Sequence, residues 1–313
     1  MSITNARYVV TPEQTGMVMA FANRELIADA AMPVKKLRGS KTAFTYLERD
    51  IAQGFTVPST LVGRASKPNR VSFTIKEQSG KCDAHGLSDV VPQEDIDEAD
   101  GNVGDLVSDS LQATMNLVLL GREKRVADIV QKPSNYLSDK VTEVEDEDKF
   151  DNPESNPLTY LLERLESCIV RPNRMIINQA AWTKLRTHPK IVKAVHGNAG
   201  DSGAANRAAV ADLLELKEII VGASFINEVK KGKEPSIVSC WNSNVALHYY
   251  EPMSDGKQGL AWGMTMQSGE RYAVAEWNSD LGLKGGYDVK VGAYWAEIVT
   301  AKGAGMLLTG VIS

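Results

Sequence analysis

Gly200-Asp201-Ser202-Gly203 is the string that surrounds the nucleophile of chymotrypsin-like proteases, and His85 lies upstream of it. A working triad also needs a buried aspartate on the histidine and a double β-barrel, whereas here the string runs into AANRAAVADLL, a helical sequence. It reads as a Gly-rich loop with Asp201 or Ser202 near a helix start. Cys82 and His85 stand three apart, but catalytic thiol–imidazole pairs are joined by folding and not by sequence proximity. His85, His188, His196 and His248 never form HxxxH or HExxH, so no helical face offers two of them to a metal, and they read as structural or solvated. The acidic run EVEDEDKFDNPE lacks the DxDxDG spacing of a calcium loop and reads as a solvated loop. No GxxxxGK[ST] phosphate loop occurs, and the string from Gly303 to Gly310 misplaces the third glycine of a dinucleotide fingerprint. The sequence therefore offers no catalytic, cofactor-binding or metal-ligating set, and neither an enzyme nor a cofactor is expected.

The elements that could carry some other function belong to a chain of 313 residues, 43% hydrophobic and 24% charged. That is enough apolar material for a buried core and too little charge bias for disorder. A net charge of −5 excludes a chain-wide cationic surface for nucleic acid but permits a local one. Cys82, Cys168 and Cys240 are far apart and form no CxxC, which fits a reducing cytosol rather than a disulfide framework. No apolar h-region follows a basic start, and the most hydrophobic stretch, Leu111 to Leu120, is interrupted by Gln112, Thr114 and Asn116; neither export nor a membrane span is expected.

Around Met17 to Ala30 a short helical pattern stops at Met32-Pro33, as expected of an arm. Between Val34 and Arg70, Lys35, Lys36, Arg38, Lys41, Arg49, Arg64, Lys67 and Arg70 face only Glu48 and Asp50. Strand-like alternation in Ala43–Leu47 and Val71–Ile75 makes this a long two-stranded basic excursion, too marginal to stand alone in water and so completed by a partner chain. Apolar residues from Val103 to Val130 recur at three- and four-residue steps, predicting a helix roughly 40 Å long. Acidic residues lead into it, Arg122, Lys124 and Arg125 lie toward its end, and Pro133 closes it. Beyond it the pattern predicts helices at Pro157–Leu165, Ala180–Val195 (interrupted at Pro189) and Ala204–Leu216. Strands are predicted at 175–177, 218–221, 237–241, 245–250, 272–277, 287–291, 297–300 and 306–309.

Particular strings now carry a resemblance. ADAAMPV at 28–34 resembles the "IAD..FPV" entry to an extended loop in the tailed-bacteriophage major capsid protein family, and RVSFTIKEQSGKCDAHGLSDVVPQEDIDE at 70–98 resembles that family's lead into its long helix. Arg171-Pro172-Asn173-Arg174-Met175-Ile176-Ile177 followed by Trp182, Leu185, His188, Pro189 and Ile191 is similar to its strand, helix and "HP.I" segment, and GMLLTGVIS to its last strand. The loop after the long helix departs from the pattern, carrying EVEDEDKF with Phe150 where relatives often have a tryptophan.

The resemblance implies the Hong Kong 97-type fold, an α+β class. Its parts would be an N-arm (1–33), an extended E-loop hairpin (34–75), a peripheral domain with a spine helix (76–168), a mixed α/β axial domain (169–265), peripheral return strands (266–290) and C-terminal axial strands (291–313). It implies a structural shell protein that assembles with itself into the hexamers and pentamers of an icosahedral capsid around double-stranded DNA, held non-specifically. A separate scaffolding protein, a portal and a decoration protein would be its partners; the virion would be its final location and the host bacterial cytoplasm its place of assembly. Lys36, Arg38, Lys41, Arg49, Arg64 and Arg70 become the expected inter-subunit contacts, facing carboxylates of adjacent chains. The rivals are an encapsulin-like compartment shell of the same fold, a phage tail or decoration protein, and a serine hydrolase using Ser202.

Overall fold

A computed structural model describes residues 26–39, 41–48, 55–64, 66–71, 76–99, 106–197, 203–229 and 234–313. Two larger sheets share one long helix. The first has five strands in the order β5 (Val141–Glu143), β13 (Gly305–Thr309), β10 (Val245–His248), β6 (Arg174–Asn178) and β7 (Glu218–Gly222). Apart from the edge strand β5, its strands carry continuous apolar runs because both faces are covered. Met175, Ile177, Val245, Leu247, Met306 and Leu308 join the helices Pro157–Glu166, Gln179–Thr187, Pro189–His196 and Arg207–Leu213 in one core. The alternate residues Ile176, Ala246 and Leu307 face a second core with Trp241 and Trp262.

The long helix, Leu106–Val130, contributes Val126, Ala127 and Val130 to that second core. Its amino-terminal half turns Leu106, Val107, Leu111, Met115 and Val118 onto the other large sheet, against Val289, Val291, Ala293 and Trp295. That sheet is ordered β1 (Val34–Lys36), β11 (Gly263–Asn278), β12 (Gly286–Val299) and β4 (Asp83–Pro92). One helix thus braces both sheets, each half burying a different partner.

The helix expected from Val103 is described from Leu106, and the predicted break at Pro189 is present with His188 between two helices. Several strand boundaries differ from expectation. The separate strands predicted at 272–277, 287–291 and 297–300 belong to two long antiparallel strands, β11 and β12. The domain edges expected at 265/266 and 290/291 therefore fall inside strands. Asp83–Pro92, read in sequence as a lead into the helix, is a ten-residue edge strand paired along β12. The helix predicted at Ala204–Leu216 spans Arg207–Leu213, with Asn206 accepting from the Ala208 N–H at 3.2 Å as its cap; Asp201 and Ser202 lie outside the described residues.

Candidate assembly surfaces

The basic excursion has a root and a tip of opposite character. At the root, β2 (Ala43–Glu48) pairs antiparallel with β3 (Lys76–Lys81). Phe44 and Cys82 pack with Ala261, Met264, Met266 and Ile298, so the hairpin is fastened to the open end of the β11–β12 pair. Gly80 makes room for this anchor: a Cβ there would lie 2.5 Å from the ring of Phe44. The strand partner expected at Val71–Ile75 lies further along the chain, at Lys76–Lys81; residues 72–75 are outside the described set.

The tip is uncovered. Every described residue from Phe55 to Val71 is exposed, including Val57 at 92% and Leu61 at 88%. Arg38, Lys41, Arg64 and Arg70 are exposed, without a carboxylate partner among the described residues. Lys36 differs: it lies on β1 and binds Glu270 of its own chain at 2.6 Å. Arg49 is outside the described residues. An apolar, cationic tip that its own chain leaves bare is suited to bury itself on an acidic, partly apolar protein surface.

The other notable constellation ties down the segment Ile27–Ala30, and sequence reasoning passed over it. Glu123, fully buried on the long helix, accepts from the backbone N–H groups of Ile27 (3.2 Å) and Ala28 (2.7 Å), from Ser224 Oγ (3.1 Å) and from Trp241 Nε1 (2.7 Å). Its neighbour Arg122, also buried, donates to Asp29 at 2.5 Å and to Thr265 Oγ1 at 3.2 Å. Arg174 donates to the Ala30 carbonyl, pairs with Glu218 at 3.0 Å and lies over the ring of Tyr250. In sequence Arg122 and Glu123 look like ordinary surface charges toward the helix end; burial between two sheets gives them their role.

The groups that could have done chemistry are absorbed into structure. His188 Nδ1 accepts from the Lys190 N–H, so its Nε2 carries the proton and donates to the Asn152 carbonyl at 2.9 Å. Tyr136 donates to the Val130 carbonyl, which leaves its oxygen to accept from His248 Nε2 at 2.8 Å. His248 stacks on Trp262 with centroids 3.9 Å apart, and burial, helped by Arg174, pushes its pKa down to about 3. His85 rests on Trp295 with its pKa lowered, chiefly by burial. Burial raises the Cys240 thiol to about 11, far from the range of a reactive thiolate. Among the described residues no group of three or more His, Cys, Asp or Glu side chains is placed to hold a metal ion, and no helix is long and apolar enough to cross a membrane.

No family model matches the sequence. Among curated proteins, the major capsid protein of Pseudomonas phage JBD67 is 37% identical over 311 residues, covering 99% of this chain and all of that one. The major capsid protein of Burkholderia phage BcepMu is 22% identical over 258 residues, covering 80% of this chain and 79% of that one. Of solved structures, a phage-related protein from Bordetella bronchiseptica superposes with a TM-score of 0.68 at 18% identity over 96% of each chain. A cyanophage P-SCSP1u capsid chain does so at 0.57 and 10% identity, covering 92% of this chain and 88% of that one.

Proposed function

Because this chain belongs to the phage major capsid protein family, with an α+β fold related to the Hong Kong 97-type capsid fold, we propose that its exposed basic excursion is the contact through which copies of it close into a shell. The chain is a structural protein of an icosahedral capsid. Its copies associate as hexamers and pentamers, assembled in the host cytoplasm and retained in the virion, and the shell encloses double-stranded DNA without reading its sequence. Residues 1–33 are the N-arm and 34–75 the E-loop. The long helix with the four-stranded sheet forms the peripheral domain, and the five-stranded sheet with its helices the axial domain. A separate scaffolding protein, a portal and a decoration protein complete the particle.

The observation that carries this reading is the bare tip: Phe55, Val57, Leu61 and Val71 stand in solvent beside Arg64 and Arg70. Leaving several such side chains exposed costs about 1.5–3 kcal/mol each relative to full burial, a loss recovered when a neighbour covers them. The test is electron microscopy of the purified chain, alone and co-expressed with its gene neighbours. Closed shells or six- and five-membered rings are expected; a monodisperse monomer under every condition would refute the assignment.

A further inference from the structure

The two edges of the four-stranded sheet are built from opposite kinds of residue. Strand β1 is three residues long, follows Pro33 and carries Lys35 and Lys36, the short cationic form that keeps a bare edge from pairing. Strand β4, at the other edge, runs ten residues and holds no lysine, no arginine and no proline before its last position. No described strand lies beyond it in the sheet. Asp83, Ala84, Gly86, Leu87 and Ser88 are exposed, Leu87 at 47%. The long helix runs beside this edge: Ser110 Oγ donates to Asp89 at 2.5 Å, while His85 stacks on Trp295, over which the Arg122 guanidinium lies. From Asp89 to His85 the strand therefore follows the helix from Ser110 toward Arg122, and Leu87, alternating with both, faces the helix side. Leu117 stands about two turns beyond Ser110, on the same side of the helix, and is exposed at 58%. An edge whose backbone is able to pair is thus lined by an imidazole, a carboxylate and two exposed leucines.

We propose that β4 pairs antiparallel with β4 of a second copy of this chain about a two-fold axis at Leu87, joining two four-stranded sheets edge to edge. This rests on the capsid reading above and adds a contact that the excursion does not make. The residues of β4 fix the register. Residues that face each other in an antiparallel pair are both hydrogen-bonded or both not, so a strand paired with itself has its axis on a residue. Centred on Leu87, the pairing sets His85 against Asp89 on both sides of the axis and Leu87 against itself, with the two Leu117 side chains flanking the apolar centre. Centred on Gly86 it opposes Asp83 to Asp89, a repulsive cross-strand pair, and centred on Ser88 it opposes Leu87 to a carboxylate. A two-fold contact is isologous and closes at two copies. A ring is built from a heterologous contact and, once closed, needs another surface to join the next ring. The β4 edge supplies that surface, acting where rings present many such edges at once.

The test places Leu87→Cys in the full chain, assembles the shells and oxidises them with diamide. One substitution on an isologous contact links copies in pairs, so a non-reducing gel is expected to show dimer without a higher ladder, and no dimer from wild-type shells, which keep Cys82, Cys168 and Cys240. Ala84→Cys is the control for register: facing Val90 of the other copy, it lies roughly 20 Å from its own mate and stays monomeric. Normal shells in which Leu87→Cys runs as monomer, or in which Ala84→Cys dimerises as well, would overturn the proposal. In a second arm, Leu87→Lys sets two lysines against each other at the axis. Electron microscopy should then show separate rings in place of closed shells, with the circular dichroism spectrum unchanged because the side chain sits on an exposed edge. Closed shells from Leu87→Lys would overturn it too. A wild-type chain that makes neither shells nor rings is a different result: it removes the capsid reading, and this contact with it.

Discussion

Glu123 and His248 are the two residues at which burial does most to change what a side chain means. Glu123 accepts from four neutral donors on three segments: Ile27–Ala28 (two backbone N–H groups), the loop after β7 and the indole of Trp241. Removing the acceptor strands all of them away from water, and each unsatisfied group costs about 1–3 kcal/mol. We expect Glu123→Ala to lower stability by about 3–5 kcal/mol in urea unfolding and to make the arm root sensitive to protease. A Glu123→Gln variant, which keeps one oxygen, should fall between. His248 gives a pH dependence with a definite sign. Its pKa is near 6.5 in the unfolded chain and about 3 in the folded one, so between these values the unfolded state binds the extra proton. Its contribution is fully present above pH 6.5 and is lost as pH falls toward 3, amounting to about 3 kcal/mol by pH 4. Unfolding midpoints at pH 7 and pH 4 should converge in His248→Gln relative to wild type; an unchanged gap would show that other groups dominate the acid limb.

At the scale of elements, the excursion depends on one aromatic anchor. Phe44 is buried among Met264, Met266 and Ile298 at the hairpin root, and truncating a buried Phe costs about 3–5 kcal/mol in a full core, less at an edge. We expect Phe44→Ala to lower stability by about 2 kcal/mol and to accelerate cleavage within residues 49–75, with the remainder of the chain resisting the protease. The first strand of the excursion was legible in the sequence, because the two-residue alternation of Ala43–Leu47 is a local signal; its partner Lys76–Lys81 was not, because KEQSGK holds no apolar alternation. The helix around Leu106–Val130 and the break at Pro189 were legible too. Strand β4 was not, since DAHGLSDVVP holds few β-branched residues and forms only because β12 supplies a partner along its length. The union of β12 was hidden by Gly292 and Ala293, which interrupt the apolar alternation while allowing close packing against β4.

Charge is divided unevenly along the chain, and this sets how assembly should respond to salt. Residues 34–70 carry eight cationic and two anionic side chains, within a chain of net charge −5, so the remainder is strongly acidic. Charges of this kind attract over about 10 Å at 0.1 M salt and over only about 3 Å at 1 M. They raise the encounter rate and fix register more than they supply final affinity, which the apolar tip provides by burial. The expected outcome is therefore asymmetric. Raising sodium chloride from 0.1 to 1 M should slow the rise of light scattering several-fold on mixing, while shells already closed persist, because their buried apolar contacts are not screened. Replacing Arg64, Lys67 and Arg70 by Gln should flatten the salt dependence of the rate. Excising residues 49–75 and joining the limbs with a short turn should leave a folded monomer, since the clusters that hold both sheets together draw on no described residue of that segment. Shells built by the excised chain would mean that the basic excursion is incidental and that closure is driven from another face.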